Sequence, residues 1–434
     1  MSAMSMSHLV EAIADLGRSY LEGPLNRSLL RNIENLCQSL REEKGEAAAT
    51  AIAREVVNAF NAMRREEKLE FLEMLQNDFS PNPEAVLIAA KSYVRNGDIR
   101  SLRNLAQAVE SPVQAFLRLL NMVPGGTETI IAMRNLVLEE IKNKPQLEFL
   151  DADFEHLLAS WFNRGFLTFQ RIDWNTPAVI LEKLMQHEAV HEIKGWEDLR
   201  RRLADDRRCF AFFHPVLPNE PIIFIEVALT KGIAREIQPV LEMPPQHQKK
   251  DPADTAIFYS ISNCQSGLKG IHFGSFLIKQ VVDTISAELP KIKTYSTLSP
   301  IPGFRNWLEK VFLLKKSNEL TEDELKILKE PLWFNSESNL EDLKGTLTKL
   351  CAQYLVNEKK NHRPRDPVAR FHLGNGAEIE QINWLGDTSR RGMEQSAGLM
   401  VNYLYNTSHI VANHENYVND GKIAVSSKIK KLLS

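Results

Sequence analysis

The sequence is poor in cysteine. Cys37, Cys209, Cys264 and Cys351 are the only four in 434 residues, they lie far apart, and none forms a CxxC pair. That spacing argues against a disulfide framework or a thiolate metal site and fits isolated buried thiols in a reducing compartment. No stretch approaches the roughly 18 consecutive apolar residues of a membrane span. Charge of one sign is lacking too: 53 Lys and Arg against 56 Asp and Glu leave a net −3. Nothing in that balance calls for nucleic acid or an anionic membrane. The opening MSAMSMSHLVEAIADLG has neither the apolar core of a signal peptide nor the Arg-rich, acid-poor make-up of a mitochondrial presequence. The last residues, Lys431-Leu432-Leu433-Ser434, are not a peroxisomal Ser-Lys-Leu ending. The expectation is a cytoplasmic protein.

What is present is ordinary for a globular chain, with 43% hydrophobic and 25% charged residues, and the length suggests two domains. From His8 to about His191 the pattern is helical almost throughout, punctuated by Gly23-Pro24, Ser80-Pro81-Asn82-Pro83, Gly97-Asp98, Pro124-Gly125-Gly126, Pro145 and Pro177. Ala51, Val56, Val57, Phe60 and Met63 fall near the 3-to-4 spacing of a core-facing stripe. With no clustered chemistry and no fixed repeat, residues 1–192 read as a helical packing and oligomerisation domain. From Trp196 the pattern changes: a short helix over Trp196–Leu203, then strands over Cys209–His214 and Ile222–Leu229 joined by a turn at Pro218-Asn219-Glu220-Pro221. Glu226 sits within an apolar run, either as a buried acid or as an edge residue reaching solvent. Ile237–Pro252, including Gln246–Lys250, reads as a long polar loop.

The chain is organised around residues 257–307. An apolar run, Ile257–Ile261, gives way to Gly267, Gly270 and Gly274; a helical pattern covers Ser275–Leu289; a second strand, Ile292–Leu298, breaks at Ser299-Pro300-Ile301-Pro302-Gly303. This is a βαβ unit whose special loops lie where α/β folds bind ligands. The glycines suit close backbone approach, the helix start offers unpaired N–H groups to phosphate, and Lys269 adds a cation. Ser299, stiffened by the prolines after it, presents a hydroxyl at a strand end. Further on, Glu319–Lys329 and Leu343–Tyr354 read as helices and Lys359–Arg365 as a basic loop with arginines suited to nucleotide phosphates. Asp366-Pro367 caps a short helix ending at Gly374-Asn375-Gly376, with His372 in its last turn. Ala377–Trp384 alternates like a strand, Asp387-Thr388-Ser389 caps a helix expected to run through Tyr405, and Ser427–Leu433 closes the chain as a helix.

One short motif competes for attention. His187-Glu188-Ala189-Val190-His191 fits H-E-x-x-H, in which histidines at i and i+4 of a helix ligate zinc. No third ligand follows at the required spacing, and Gly195 points to a helix end nearby, so a domain-boundary helix end is the expectation and no metal site is assigned.

The blocks GLKGIHFGSFLIKQVV, TLSPIPGFRNWL, DPVARFHLGNGA, INWLGDTSRRGM and SAGLMVNYLY resemble the malonyl-CoA decarboxylase family, weakly in the N-terminal part and strongly from about Trp196 onward. The resemblance implies an α+β protein: a helical domain followed, over residues 193–434, by a catalytic domain like the GNAT acyltransferase fold. It implies conversion of malonyl-CoA to acetyl-CoA and CO2, a role in fatty acid metabolism, and a homo-oligomer, dimer or tetramer. By the same resemblance Ser299 engages the malonyl carboxylate and accepts a proton, and His372 donates one. Lys269, Gly270, Ile271, His272, Phe273, Gly274 and Ser275 match the substrate-binding loop, and Tyr405 a tyrosine near the acyl group. No metal or organic cofactor is needed, because the thioester carbonyl is itself the electron sink; a hydroxyl and an imidazole suffice. Two departures stand out. Gln265, Gly267 and Gly270 match the GNAT phosphate signature only loosely, and His272 stands where animal members carry an acid. A GNAT acyltransferase acting on an amine, an acyl-CoA sensor without turnover, and a zinc hydrolase using the H-E-x-x-H segment are the alternatives.

Overall fold

The computed structural model describes Cys37 and residues 46–242, 252–271, 277–313, 320–330 and 333–434. The expected loop Gln246–Lys250 and four residues of the expected binding loop, His272, Phe273, Gly274 and Ser275, lie outside them. The chain separates into two compact units: residues 1–167 with 215–217 and 265–272, and residues 168–214 with 218–264 and 273–434.

The first unit is built from α1 (Glu46–Ala62), α2 (Arg65–Asp78), α3 (Pro83–Asn96), α4 (Ile99–Val109), α5 (Pro112–Asn121), α6 (Gly126–Glu140) and α7 (Glu148–Trp161). Side chains recurring at helical spacing bury together: Val56, Val57 and Phe60 of α1, Phe71 and Leu75 of α2, Phe116 and Leu120 of α5. The helix ends carry the expected chemistry. Asn82, Asp98 and Ser111 accept hydrogen bonds from the first amides of α3, α4 and α5, and Gly97 closes α3 with a left-handed φ of 62°. Helices α3 and α4 differ from the rest: α3 buries no residue and α4 buries only Ser101.

The second unit holds β1 (Thr168–Ile172), α8 (Ala178–His187), α9 (Trp196–Arg202), β2 (Arg207–His214), β3 (Leu217–Thr230), α10 (Gln238–Glu242), β4 (Thr255–Asn263), α11 (Leu277–Glu288), β5 (Thr294–Thr297) and β6 (Ser299–Pro300). After these come α12 (Phe304–Leu313), α13 (Glu322–Lys329), α14 (Glu337–Val356), the small hairpin β7 (Lys359–Lys360) and β8 (Arg363–Pro364), α15 (Pro367–Gly374), β9 (Glu378–Asn383), α16 (Arg390–Ser396), β10 (Met400–Leu404), α17 (Ile410–Asp420) and α18 (Ser427–Leu433). The main sheet runs β1-β2-β3-β4-β5-β10-β6, with β9 also paired to β10. The β4–β5 pair is parallel, as a βαβ crossover requires, and the β1–β2, β3–β4, β5–β10, β6–β10 and β9–β10 pairs are antiparallel. Strand β2 is buried along its whole length. Cys209, Ala211 and Phe213 point into a core with Ile180 and Leu184 of α8, while Phe210 and Phe212 meet Phe169 of β1.

Four expectations need correction. The helical run does not extend to His191: β1 pairs with β2 through five residues, so Thr168 onward, with α8, belongs to the second unit rather than to a helical segment ending at 192. The chain turns at Pro215-Val216, and Pro218 and Pro221 lie inside β3, whose pairing with β4 begins only at Ile223. The loop after Ile237 starts with the short helix α10. The helix capped by Ser389 stops at Ser396, where Ala397 turns left-handed at φ 52°, and Met400–Leu404 is a strand in the sheet. Glu226 is resolved as a buried acid, 1% exposed, at a bulge in the β3–β4 pairing. Arg202 Nη1 donates to it at 2.9 Å and holds α9 against the sheet. Burial pushes this carboxyl up while Arg202 pulls against it.

Candidate active site

Strands β5 and β6 and helix α15 place the two residues expected to act together. In the segment Thr297-Leu298-Ser299 the side chains alternate, so Thr297 and Ser299 share one side of the strand while Leu298 joins the core. Ser299 is anchored by the pairing of β6 with β10, opposite Val401. His372 rides in the last turn of α15. That helix is started by Asp366, whose carboxylate accepts from the amides of Val368 and Ala369 at 2.9 Å each, with Pro367 at its first position.

Across 73 residues of sequence, His372 Nε2 lies 3.2 Å from Ser299 Oγ. Ser299 Oγ donates to Thr297 Oγ1 at 2.8 Å, and Thr297 Oγ1 also accepts the Tyr403 amide at 3.0 Å. On the far side of the ring, His372 Nδ1 and Tyr405 OH are 2.7 Å apart. The imidazole lies over the Tyr403 ring, with centroids 4.6 Å apart and planes at 23°. Every member of this cluster is buried. Burial alone holds His372 down to about 3, so the ring is neutral, and it pushes the Tyr405 phenol well above its ordinary value, so the phenol keeps its proton.

These protonation states fix the tautomer. The hydrogen bond of Tyr405 to Nδ1 gives the buried phenol proton an acceptor. A buried O–H without one costs about 1–3 kcal/mol. Nδ1 therefore accepts, and the ring proton sits on Nε2, facing Ser299.

A cavity of about 230 Å³ opens beside the pair. Ser299 and His372 both line it, with Phe258, Ile261, Pro300, Val368 and Phe371 as apolar wall. No lysine or arginine is among its described lining residues. Tyr405 is not part of that lining: it stands behind His372, so the structure places it against the imidazole rather than the cavity.

The glycine loop has a different character from the one its sequence suggests. A Cβ on Gly267 would sit 2.1 Å from the Ile131 carbonyl oxygen of α6, and Gly267 O accepts from Arg134 Nη1 at 3.0 Å. This first glycine serves close packing on a helix. Gly270 does adopt a left-handed φ of 86° with open space around it; Lys269 is exposed and Ile271 buried, and all three cluster with the helical unit.

The H-E-x-x-H segment is not one helical face. Helix α8 ends at His187, and Glu188 begins an extended stretch. The Glu188 carboxylate accepts from the amides of Val190 and His191 and from the hydroxyls of Ser260 and Ser262, which ties this corner to β4.

Sequence reasoning missed Thr297 and the role of Tyr403. The i, i+2 spacing of Thr297 and Ser299 was a usable signal; nothing in the local pattern announces an aromatic ring under His372.

Comparison with known proteins identifies the family of the chain. Residues 165–434 match the malonyl-CoA decarboxylase C-terminal domain and residues 79–162 the malonyl-CoA decarboxylase N-terminal domain. A protein from the goose Anser anser anser, named malonyl-CoA decarboxylase, mitochondrial, is 33% identical over 463 aligned positions, covering 98% of this chain and 90% of its own. The crystal structure of malonyl-CoA decarboxylase from Rhodopseudomonas palustris matches with a TM-score of 0.88 at 45% identity, covering 93% of this chain and 100% of that one. The enzyme from Agrobacterium vitis gives 0.86 at 46% identity with the same coverage.

Proposed function

The chain belongs to the malonyl-CoA decarboxylase family, and from that premise we propose that it converts malonyl-CoA to acetyl-CoA and CO2 at the cavity beside Ser299 and His372. It is a carboxy-lyase. The observation that carries the site assignment is the 3.2 Å approach of Ser299 Oγ and His372 Nε2 at the wall of an apolar cavity.

The chemistry follows from what the cavity offers. Malonyl-CoA presents a carboxylate beside a thioester. Phe258, Ile261, Pro300, Val368 and Phe371 strip water from that carboxylate, and no lysine or arginine among the described lining residues holds it back. Its charge disperses as the C2–carboxyl bond breaks, so an apolar wall favours the transition state over the ground state. As substrate enters, the Ser299 hydroxyl turns from Thr297 to the carboxylate and donates to it. The electron pair moves into an enolate over C2 and the thioester oxygen. C2 then takes the Nε2 proton of His372, a neutral imidazole acting as the acid toward a much stronger base. Solvent reaching the cavity as CO2 leaves returns the proton to Nε2, while Tyr405 keeps its own proton and holds Nδ1 as an acceptor. One proton is consumed for each CO2 released, as the balance requires.

Lys269, Gly270 and Ile271, continued by His272, Phe273, Gly274 and Ser275, belong to this reading as the coenzyme A loop; the exposed lysine and the open left-handed Gly270 support it. Self-association through the helical unit is part of it as well. Leu87 and Ile88 of α3 are 53% and 68% exposed, Val94 is 85% and Ile99 of α4 is 64%, an apolar face of the kind that pairs with another copy. The four buried thiols fit a reducing compartment, which supports the cytoplasm. Fractionation of the source cells tests that placement, and co-purification with mitochondria, the word in the goose relative's name, would replace it.

The activity is tested by incubating purified protein with malonyl-CoA in the presence of a chelator. Equimolar acetyl-CoA and CO2 are expected. Acyl transfer to an amine, or binding with no CO2, would overturn the reading.

A further inference from the structure

We propose that Thr297 is a positioning residue that, with Tyr405 at the other end, sets the direction of the hydrogen bonds through the Ser299–His372 pair and holds the ring proton on Nε2. The inference rests on the reading of that pair as the reacting one.

The four groups Tyr405, His372, Ser299 and Thr297 form one chain of contacts at 2.7, 3.2 and 2.8 Å. Such a chain has two self-consistent arrangements. In the first, Tyr405 donates to Nδ1, Nε2–H donates to Ser299, and Ser299 donates to Thr297. In the second, Ser299 donates to Nε2, and Nδ1–H donates to Tyr405. Only the first leaves a proton on Nε2, the nitrogen beside Ser299 at the cavity wall.

Thr297 favours the first arrangement for a structural reason. Strand β10 carries a register shift between Asn402 and Tyr403 in its pairing with β9. The Tyr403 amide is directed to Thr297 Oγ1 at 3.0 Å. Thr297 Oγ1 holds that amide on one lone pair and accepts the Ser299 hydroxyl at 2.8 Å on the other, so the Ser299 proton points to Thr297 and leaves Ser299 Oγ an acceptor for Nε2–H. Bulges of this kind recur beside active sites because they re-aim single groups. Thr297 itself is fully buried and absent from the described cavity lining, so it acts through Ser299 and does not touch substrate. Asn402 fixes it further by donating to its carbonyl and to that of Ala234, and accepts from Gln381 and Asn383.

The test compares Thr297→Val, which keeps the shape and removes the acceptor, with Thr297→Ser, which keeps the hydroxyl. Steady-state malonyl-CoA decarboxylation is measured for both, alone and with Ser299→Ala. Thr297→Val is expected to lower kcat at least tenfold with KM unchanged, and Thr297→Ser to stay within threefold of wild type. Adding Thr297→Val to Ser299→Ala is expected to change the residual kcat less than twofold, because its effect passes through the serine hydroxyl. Loss of the same size in both backgrounds, or full activity in Thr297→Val, would overturn the proposal. Should Thr297→Val lack a cooperative unfolding transition, Thr297→Cys, a weak acceptor, takes its place with the same expected outcomes. Undiminished activity of Ser299→Ala would instead overturn the assignment of the pair.

Discussion

At the scale of single residues, burial decides what each polar group of the site can do. His372 is neutral because nothing around it compensates for lost water, and Tyr405 makes neutrality specific by occupying Nδ1. Tyr405→Phe removes that hydrogen bond and frees the tautomer. A neutral hydrogen bond of about 1 kcal/mol corresponds to roughly a fivefold to tenfold fall in kcat, with little change in substrate affinity. Steady-state kinetics would show it; a large rise in KM at constant kcat would mean that Tyr405 binds the acyl group instead. Asp366 gives a second residue-scale prediction. Burial raises its carboxyl from 3.8 to about 6 against the pull of the Ala369 and Val368 amides. The folded protein therefore holds this proton more tightly than the unfolded chain. The associated stability is complete below pH 3.8 and is lost as the pH rises to about 6, an effect of roughly 3 kcal/mol. Asp366→Asn keeps an N-cap acceptor and removes the charge, so it should stabilise the protein more at pH 7 than at pH 4.5. Denaturant melts at the two pH values check this, and an equal shift at both would contradict it.

At the scale of elements, the two loops flanking the βαβ unit divide their work. The prolines after Ser299 hold a hydroxyl at a strand end, as the sequence suggests. The first glycine of the other loop serves helix packing. Gly267→Ala would drive a methyl group onto the Ile131 carbonyl, and backbone there cannot retreat cheaply. Overpacking of that kind costs about 1–3 kcal/mol, so the melting temperature should fall while KM for malonyl-CoA holds. A raised KM without loss of stability would return Gly267 to a ligand-binding role. The elements also show what was legible. The βαβ unit, the Asp366-Pro367 helix start and His372 in its last turn were readable, because glycine, proline and capping residues act locally. Strand β10 was not: Met400–Leu404 is a short apolar run buried on both faces, and such a run has no period that separates strand from helix. Strand β1 was lost for a related reason, since its five residues gain their conformation from β2, 45 to 37 residues further along the chain. Ser299 and His372 were located by resemblance to a family; the contacts that make them a pair, through Tyr405 and Tyr403, cross 33 and 31 residues and no local pattern encodes them.

At the scale of the whole molecule, each unit contributes something the other does not. The sheet unit carries the cavity and its reacting groups. The helical unit carries the apolar face of α3 and α4, where Leu87, Ile88, Val94 and Ile99 stand in solvent. If that face joins copies, Ile88→Lys together with Val94→Lys should shift the mass found by light scattering at micromolar concentration from oligomer to monomer. An unchanged oligomer would place the interface elsewhere, and a monomeric wild type would end the idea of self-association. The central claim remains the chemical one, that Ser299 and His372 carry out decarboxylation in a desolvated cavity. The most direct test is the rate of CO2 release from malonyl-CoA by wild type, Ser299→Ala and His372→Gln, with acetyl-CoA binding measured on the same samples. A general acid contributes about 10²- to 10⁴-fold, so His372→Gln should lose that much in kcat, and Ser299→Ala should fall with it, while both still bind acetyl-CoA. Either variant releasing CO2 within a few-fold of the wild-type rate would contradict the account.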